Sequence, residues 1–542
     1  MSLRAKVLAG GVLLGAVILG VAITAHYLAK EKVLEYKRAL QARGEKMTFA
    51  ELRPAVTAEA ASRAQALVTA VNQLGDVEAD LTNFPTVMRS LGPGLAQVAW
   101  KQDPLPTYYS SNVWPDFART LDEKQEPLAA IRGLLASPGV AFNLDYSQGF
   151  KLTMPHLARL KSAAVWLSGA TIRELHAGQL DRAEQNLEAL SALRSQQGEP
   201  MMWAKEVRLK TDCIAFNTTW EALQCPDWTE EQLRKLQAAW SSADWVNQAE
   251  AALAMQRLWD EQALATVRSD HSVIVCPDCG KTGPAEVAEL GRQLLKQPMD
   301  GLKEIAARYP LYWWWVWWQS YDDELMSLQY LQAGIESVRA MRQHQLFGAA
   351  LQQFDKEVAR IRQAHPQAGR WFQDCLQTEY PARRLLENIL GAEIRRSLCV
   401  TAIALQRYHL RHGAYPAALG ALTPELLAEV PRDVMDGQPL RYSLNPDGSF
   451  RLYSIGEDAK DDGGDPGPRP GLLSQRYWWR GKDAVWPTPA TIEKAQIEKE
   501  RLERETRIAQ QRALETNPAY ATARRAFLLR YGLLRTNAQE VK

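Results

Sequence analysis

The sequence is poor in cysteine and in net charge. Six cysteines stand among 542 residues, a fraction too low for a small scaffold built on disulfide bonds. The 64 lysines and arginines nearly balance the 63 aspartates and glutamates, so the formal net charge is only +1. A chain with so little net charge has no overall attraction to nucleic acid. We therefore expect no nucleic-acid partner.

Familiar catalytic motifs are also missing. The sequence contains no Gly-x-Ser-x-Gly, no His-Glu-x-x-His and no Gly-x-Gly-x-x-Gly after a strand pattern, which argues against the common hydrolase, zinc-protease and dinucleotide-binding sites. His409 and His412 lie near the end of a predicted helix, where histidine is routine. No residue is nominated as catalytic, and we expect a protein without enzymatic activity.

One pair of cysteines is closely spaced. Cys276 and Cys279 form the Cys-x-x-Cys of "CPDCGKTG", a pattern that holds half of a zinc site or forms a redox or a static disulfide. No second such pair stands elsewhere in the sequence, and His271 is the nearby nitrogen ligand. A plain local disulfide is favoured if this segment lies outside the cytoplasm, with the zinc and redox interpretations left open.

A long apolar stretch stands near the amino terminus. Residues 7–28, "VLAGGVLLGAVILGVAITAHYL", contain no Lys, Arg, Asp or Glu, and about 20 such residues span a bilayer as a helix. A secretory signal has a shorter apolar core and a clean small-x-small cleavage site. We predict an uncleaved transmembrane anchor within 1–29 that contacts the lipid bilayer through 7–28, with a signal peptide as the alternative.

The orientation of this anchor depends on the flanking charges and on the length of the chain after it. More basic residues lie after the apolar stretch, between 30 and 46, than before it at Arg4 and Lys6. That count alone keeps the carboxyl-terminal side in the cytoplasm, but long domains are translocated largely regardless of charge. We favour a single-pass protein of the inner (cytoplasmic) membrane, with most of the chain in the periplasm.

The rest of the chain reads mostly as helix. A polar helix and a short turn over 30–56 predict a stalk, and from 57 to 390 most windows place apolar residues at helical spacing, apart from 84–147, which we read as irregular. "LHAGQLDRAEQNLEAL" has the turn glycine, Gly178, and the small packing residue, Ala183, of a helical hairpin. It resembles half of a tetratricopeptide repeat. We predict a body of helical hairpins that binds a protein partner.

A tryptophan-rich run interrupts this body. "YPLYWWWVWWQSY" covers 309–321 in a chain with 18 tryptophans. Its indoles either fill gaps between crossing helices, form a surface for a ligand or partner, or contact membrane headgroups. If they line a cleft near Trp313 to Trp318, the protein is an envelope enzyme, which is the alternative function.

The carboxyl-terminal part changes pattern. "TAIALQRYHLRHGAYPAALGAL" predicts a helix closed by Gly413, and "QPLRYSLNPDGSFRLYSIG" alternates apolar and polar residues on either side of the turn 445–448, which predicts a β-hairpin. The chain is thus predicted to be mainly α, with a transmembrane helix, a helical-hairpin body over 57–390, a small α+β module with a β-hairpin or meander over 391–490, and a charged helical tail over 491–542.

Several motifs in this module occur in a fixed order. A helix is followed by Gly-x-Tyr-Pro at 413–416, then by "DVMDGQPLRY", then by a strand ending in the acidic run "LYSIGEDAKDDGGD" at 452–465. Over 392–465 this order resembles the globular domain of the major pseudopilins of type II secretion. The whole chain also looks like uncharacterised membrane-anchored proteins of planctomycete and verrucomicrobial type, which carry a "WP-x-PAT" segment, here 486–491.

The resemblance implies a structural calcium ion in the loop after the last strand. It places the ligands at the carbonyl of Ile455 and the carboxylates of Asp458, Asp462 and Asp465, and calcium accepts such oxygen ligands. A solvated acidic loop held by Asx turns is the alternative. Because the pseudopilin Gly-Phe junction and the early glutamate are missing, we do not expect a pilus subunit. An accessory protein of a type II secretion or type IV pilus-like system is a further alternative.

Overall fold

The protein is described here from a computed structural model. It describes residues 3–77, 84–101, 114–136, 139–195, 198–242, 245–269, 313–344, 346–366, 368, 381–467 and 482–497, and four residues between 500 and 508. Cys276 and Cys279 lie outside the described residues, as does most of the tail 491–542. The disulfide and the tail helix therefore stay predictions.

The described part of the chain is mainly helical, as predicted. Its helices are α1 (Leu3–Ala42), α2 (Phe49–Leu52), α3 (Ala58–Leu74), α4 (Trp114–Glu123), α5 (Gln125–Leu135), α6 (Pro155–His176), α7 (Leu180–Ser195), α8 (Met202–Ala222), α9 (Glu230–Ser241), α10 (Val246–Ser269), α11 (Ser320–His344), α12 (Phe347–Ala364) and α13 (Pro381–His412). Turns of 3-10 helix lie at Tyr146–Lys151 and Leu419–Leu422.

Two small sheets accompany the helices. Their strands are β1 (Arg89–Gly92), β2 (Leu95–Gln97), β3 (Arg441–Leu444), β4 (Phe450–Ser454), β5 (Ala484–Val485) and β6 (Thr488–Pro489). The orders are β1-β2-β6, with β2 and β6 parallel, and β3-β4-β5, which is antiparallel. The predicted hairpin is present as β3 and β4. The reading of 84–147 as irregular was wrong, because this stretch forms β1, β2, α4 and α5.

The helices pair through short turns whose sequence explains them. Gly178 has a φ of +70° between α6 and α7, a conformation that glycine adopts without steric penalty, and the N–H of Gln179 closes the turn on the carbonyl of Glu174 at 2.8 Å. Thr229 and Gln232 form a reciprocal capping box at the start of α9, which satisfies otherwise unpaired N–H groups. The predicted helical hairpin at Gly178 is thus present.

One apolar core runs through both the body and the module. Its buried side chains extend from Leu52 to Trp486 and include residues of every large helix from α3 to α13. Helix α13 packs against α8, α9, α10, α11 and α12. The predicted boundary between body and module, at 390/391, lies inside α13.

The segment 486–490 joins the two sheets. The Trp486 N–H donates to the carbonyl of Leu452 in β4 at 2.8 Å, whereas those of Thr488 and Ala490 donate to Gly94 and Ala96 around β2 at 2.9 and 2.8 Å. The indole of Trp220, on α8, also donates to the carbonyl of Pro487 at 2.8 Å. This is the "WP-x-PAT" segment, and it fastens the module to the body.

Helix α1 joins the predicted anchor and the first part of the predicted stalk in one piece and ends just before Gly44, whose φ is +82°. Within the part of the chain whose side chains are described, no helix combines the length and the apolar character needed to cross a membrane. Before Val21, that part includes only Val17 and Gly20 of α1. The predicted span 7–28 therefore lies largely outside it and stays a prediction.

Candidate functional site

The acidic loop after β4 folds back on itself. Three of its carboxylates each accept an N–H from the residue two positions ahead: Asp458 from Lys460 at 3.2 Å, Asp461 from Gly463 at 3.0 Å and Asp465 from Gly467 at 2.9 Å. Such Asx turns offer the backbone local hydrogen bonds in place of sheet or helix. The loop thus has the Asx turns that the sequence analysis gave as the alternative to a calcium site.

A buried carboxylate outside this loop organises it. Asp483, just before β5, accepts the N–H groups of Gly464 at 2.8 Å and Asp465 at 3.0 Å, and its own N–H donates to the carbonyl of Asp465 at 3.0 Å. Burial raises the pKa of Asp483. Sequence reasoning missed this residue, although an acid directly before a short apolar strand was an available signal.

A second buried carboxylate holds the start of the loop. Asp433 accepts the N–H of Ile455 at 2.8 Å, the hydroxyl of Ser454 at 2.8 Å and the N–H of Met435 at 3.0 Å. Burial raises the pKa of Asp433 as well. It belongs to the motif "DVMDGQPLRY", but nothing in that motif indicated that its first aspartate is the buried one.

Basic side chains offset the negative charge of the loop. Lys482 donates to Asp465 at 2.7 Å, and this hydrogen bond, together with the charges of Asp465, Asp462 and Asp458, raises the pKa of Lys482. Arg441 pairs with Asp461 at 3.4 Å. The lysine ammonium therefore lies among the same carboxylates to which the pseudopilin resemblance assigns a cation.

The four predicted calcium ligands share this loop. Asp458 and Asp465 make the turns described above, the N–H of Ile455 donates to Asp433, and the N–H of Asp462 lies 3.5 Å from Asp483. Among the described residues, no three or more His, Cys, Asp or Glu side chains are grouped so as to hold a metal ion. The oxygen donors suit calcium chemically, and the calcium site stays a prediction.

Helix α1 changes environment along its length. Val17, Val21, Tyr27 and Leu28 are 55%, 57%, 63% and 60% exposed, whereas Val33 and Leu40, later in the same helix, are only 2% and 0% exposed. The carboxyl-terminal part of α1 therefore packs against the body. The described side chains before it include large apolar groups that face solvent.

A cluster of ion pairs holds α1 against the body. Lys37 donates to Glu261 on α10 at 2.7 Å and to Glu324 on α11 at 2.5 Å. Arg268 also pairs with Glu324, and its guanidinium lies 4.3 Å from the ring centre of Tyr321. We call these five residues the α1 clamp.

The tryptophan run divides between core and surface. Trp315 is fully buried and its indole donates to Asp323 at 2.6 Å, whereas Trp314, Trp317 and Trp318 are 49%, 39% and 42% exposed. We call these three the exposed indoles. Trp313 is half-buried. Core packing therefore accounts for Trp315 and leaves the three exposed indoles unexplained.

A small cavity lies where body, hairpin and the segment 486–489 meet. Its volume is about 130 Å³, and its wall includes Gln224, Gln406, Tyr415, Phe450 and Trp486. The hydroxyl of Tyr415 donates to Gln406 at 2.9 Å. Ligand pockets usually exceed about 300 Å³, so this cavity has room for water rather than for a drug-sized substrate.

Buried carboxylates also tie the helical body together. Asp212 on α8 pairs with Arg194 on α7 at 3.1 Å and with Arg395 on α13 at 2.8 Å, and all three side chains are buried. Glu221 accepts the N–H groups of Met88 at 2.7 Å and Ala99 at 3.0 Å, next to β1 and β2. Burial raises the pKa of Glu221 to about 7.

Comparison with protein-family models, with curated protein sequences and with solved structures finds no match to this chain. The pseudopilin resemblance therefore rests on the order of motifs in the sequence. The β-hairpin is present as its alternating pattern predicts, and the resemblance itself stays a prediction.

Proposed function

We propose that the chain is a single-pass, membrane-anchored protein of the bacterial cell envelope. In this proposal the helical body binds a protein partner, the pilin-like module is stabilised by calcium, and the protein acts without catalysis. The observation that carries the anchor is the contrast along α1 between the large exposed apolar side chains up to Leu28 and the buried side chains of Val33 and Leu40. Lipid would cover the exposed apolar half of this helix, while the body covers the other half.

The anchor is tested by placing charge on the exposed face of α1. Val17 stands near the middle of 7–28 and Val21 one turn further on, and an arginine at the centre of a membrane helix opposes insertion by about 2.5 to 3.5 kcal/mol. We expect the full chain with Val17→Arg and Val21→Arg to leave the membrane fraction after carbonate extraction, whereas the wild type stays in it.

Leu34→Arg is the matched control, because Leu34 is also an exposed aliphatic residue of α1 but lies beyond the predicted span. It should remain with the membrane. Equal partitioning of both variants would rule out the anchor. Alkaline phosphatase fused to the carboxyl terminus tests the orientation, since this enzyme is active in the periplasm and inactive in the cytoplasm.

The partner-binding role is tested on the native protein. The full chain is cross-linked in living cells, solubilised in mild detergent and purified, and we expect one protein to be recovered in fixed proportion to it. The same experiment with the arginine double variant shows whether recovery needs the membrane. Recovery of the chain alone would remove the partner from the proposal.

The calcium proposal is tested by the thermal midpoint of the full chain in detergent. A ligand that binds only the folded form raises this midpoint, so we expect millimolar calcium to raise it and a chelator to reverse the rise. Asp458→Ala should abolish the effect. Asp447→Ala, which removes an exposed acid from the hairpin turn, should leave it intact. An unchanged midpoint would mean that Lys482 and the loop N–H groups suffice.

A further inference from the structure

The exposed indoles lie beside α1 at the level where its apolar residues end. The ring of His26 is centred 4.7 Å from the ring of Trp317 and 5.1 Å from that of Tyr321. Leu28, the last residue of the predicted span, comes two positions later. The indoles and the end of the apolar stretch are therefore neighbours in space, although 291 residues separate His26 from Trp317 in the chain.

The rise along α1 from the middle of the predicted span to the level of the exposed indoles matches half the thickness of the hydrocarbon core of a membrane. From Val17, near the middle of 7–28, to Tyr27 a helix rises about 15 Å at about 1.5 Å per residue. Half of the hydrocarbon core is also about 15 Å. If the middle of the predicted span lies at the centre of the bilayer, Tyr27 and the Trp317 ring that contacts His26 lie at the boundary between hydrocarbon and headgroups.

The position of the indoles is fixed relative to α1. Trp315 is buried and its indole donates to Asp323 at 2.6 Å. This bond holds residues 313–318, a short helical stretch just before α11 that carries the exposed indoles. Tyr321 contacts both His26 and Arg268, a member of the α1 clamp. The indoles therefore cannot move away from the end of the apolar stretch without breaking buried contacts.

The chemistry of the surface favours lipid over a protein partner. Trp317 contacts His26, whose neighbours along α1, Tyr27 and Leu28, are large and exposed, and the exposed Lys30 and Lys32 come directly after them. Tryptophan and tyrosine concentrate at the headgroup level, where an apolar ring with one polar N–H or O–H fits both sides of the boundary. Lysines just beyond are placed to meet lipid phosphates.

We propose that Trp314, Trp317 and Trp318, together with Tyr27, form an interfacial belt by which the helical body rests on the headgroup region of the bilayer. This inference rests on the proposed anchor. It adds that the body is held at one height on the membrane surface rather than on a free stalk. The surface of 313–318 is then a lipid contact and not the mouth of a catalytic cleft.

The test is lipid quenching of tryptophan emission in the full chain. The protein is reconstituted into vesicles of phosphatidylethanolamine and phosphatidylglycerol, with or without phosphatidylcholine brominated near the top of its acyl chains. Residues 3–42 contain no tryptophan, so the anchor itself gives no signal. We expect bromination to lower the emission by up to about one-sixth, the share of three indoles among 18.

Two variants make the readout specific. With Trp314, Trp317 and Trp318 all replaced by Phe, the quenching should fall by most of its amplitude. Trp203→Phe removes another exposed indole that is not part of the belt, and it should leave the quenching unchanged. Phenylalanine keeps an aromatic ring at each position, and flotation with the vesicles confirms that each variant still inserts.

The outcomes separate this inference from the anchor on which it rests. A chain that does not float with the vesicles overturns both. A chain that floats but is quenched equally in the wild type and the triple variant, or not at all, overturns the belt alone. Indoles that are shielded from aqueous iodide yet not quenched by brominated lipid are covered by protein, and that result also overturns the belt.

Discussion

In the helical body, Asp212 lies buried between two guanidinium groups, whereas in the module Asp458, Asp461 and Asp465 lie along one loop that water reaches. The side chains are chemically identical, but their partners differ in kind. Asp212 joins three helices, whereas each of the loop carboxylates accepts an N–H from the residue two positions further along its own loop. A charge without its partner costs more free energy when it is buried than when water solvates it. Loss of Asp212 should therefore lower the free energy of unfolding more than loss of any one loop carboxylate.

The largest effect is expected for Asp212→Asn. The neutral amide leaves Arg194 and Arg395 buried without a counter-charge, and breaking a buried ion pair from one side costs about 3 to 5 kcal/mol. The measurement is the urea unfolding midpoint of the full chain in detergent.

Asp116→Asn provides the exposed counterpart, since Asp116 pairs with Arg119 at 2.7 Å on the surface of α4. We expect a loss of no more than about 1 kcal/mol there. Similar losses in the two variants would mean that the charges around Asp212 are already neutralised by other contacts.

Next in size is a pH effect at Glu221. Its folded pKa of about 7 lies above the ordinary value of 4.5, so folding favours the protonated form, and stability falls as the pH rises from about 4.5 to about 7. Glu221→Gln removes this penalty and keeps an oxygen for the Met88 and Ala99 N–H groups. The variant should match the wild type at pH 5 and exceed it at pH 8 by about 2 to 3 kcal/mol, as measured by unfolding at both pH values. A constant difference at both would contradict the raised pKa.

A smaller effect separates two aspartates of the module. Asp483→Ala strips the N–H groups of Gly464 and Asp465 of a buried acceptor, at about 1 to 3 kcal/mol, and amide hydrogen exchange of the loop should accelerate. Asp458→Ala removes one long hydrogen bond at 3.2 Å from a partly exposed turn and should change exchange little, in the absence of calcium. Equal acceleration in both variants would show that the loop has no single organising residue.

The smallest effect is expected for Lys482→Ala. Both side chains of its ion pair with Asp465 are in contact with water. Such ion pairs contribute little to the free energy of unfolding and are screened by salt. We expect a shift of the thermal midpoint of about 1 °C or less at low salt, and none at about 1 M sodium chloride. A large shift that survives high salt would place this lysine among the structural groups of the loop.

Local features of this fold were predictable because they depend on neighbouring residues. The hairpin of β3 and β4 results from alternation around the turn 445–448, and the end of α13 results from Gly413, whose φ is +75°. The acidic loop was also located correctly. Its organising residue was not, because Asp483 acts on it from 18 residues away, and its position directly before a short apolar strand does not indicate which loop it contacts.

A change of pattern from Thr401 onward suggested a separate module. The predicted boundary at 390/391 lies inside α13, and the module shares one apolar core with the body. The irregular reading of 84–147 missed its strands because one of them, β2, pairs with β6, almost 400 residues further on. Such pairing leaves no periodicity in the local sequence.

The sequence by itself determined the mainly helical character, the hairpin, the acidic loop and the apolar stretch of α1, since helical spacing, turn residues and charge are local properties of the chain. Only the tertiary structure decided that Asp212 meets Arg395, 183 residues away, and that Trp317 meets His26. These encounters depend on which helices pack together. Packing is set by the burial of apolar surface over the whole molecule, which no single segment records.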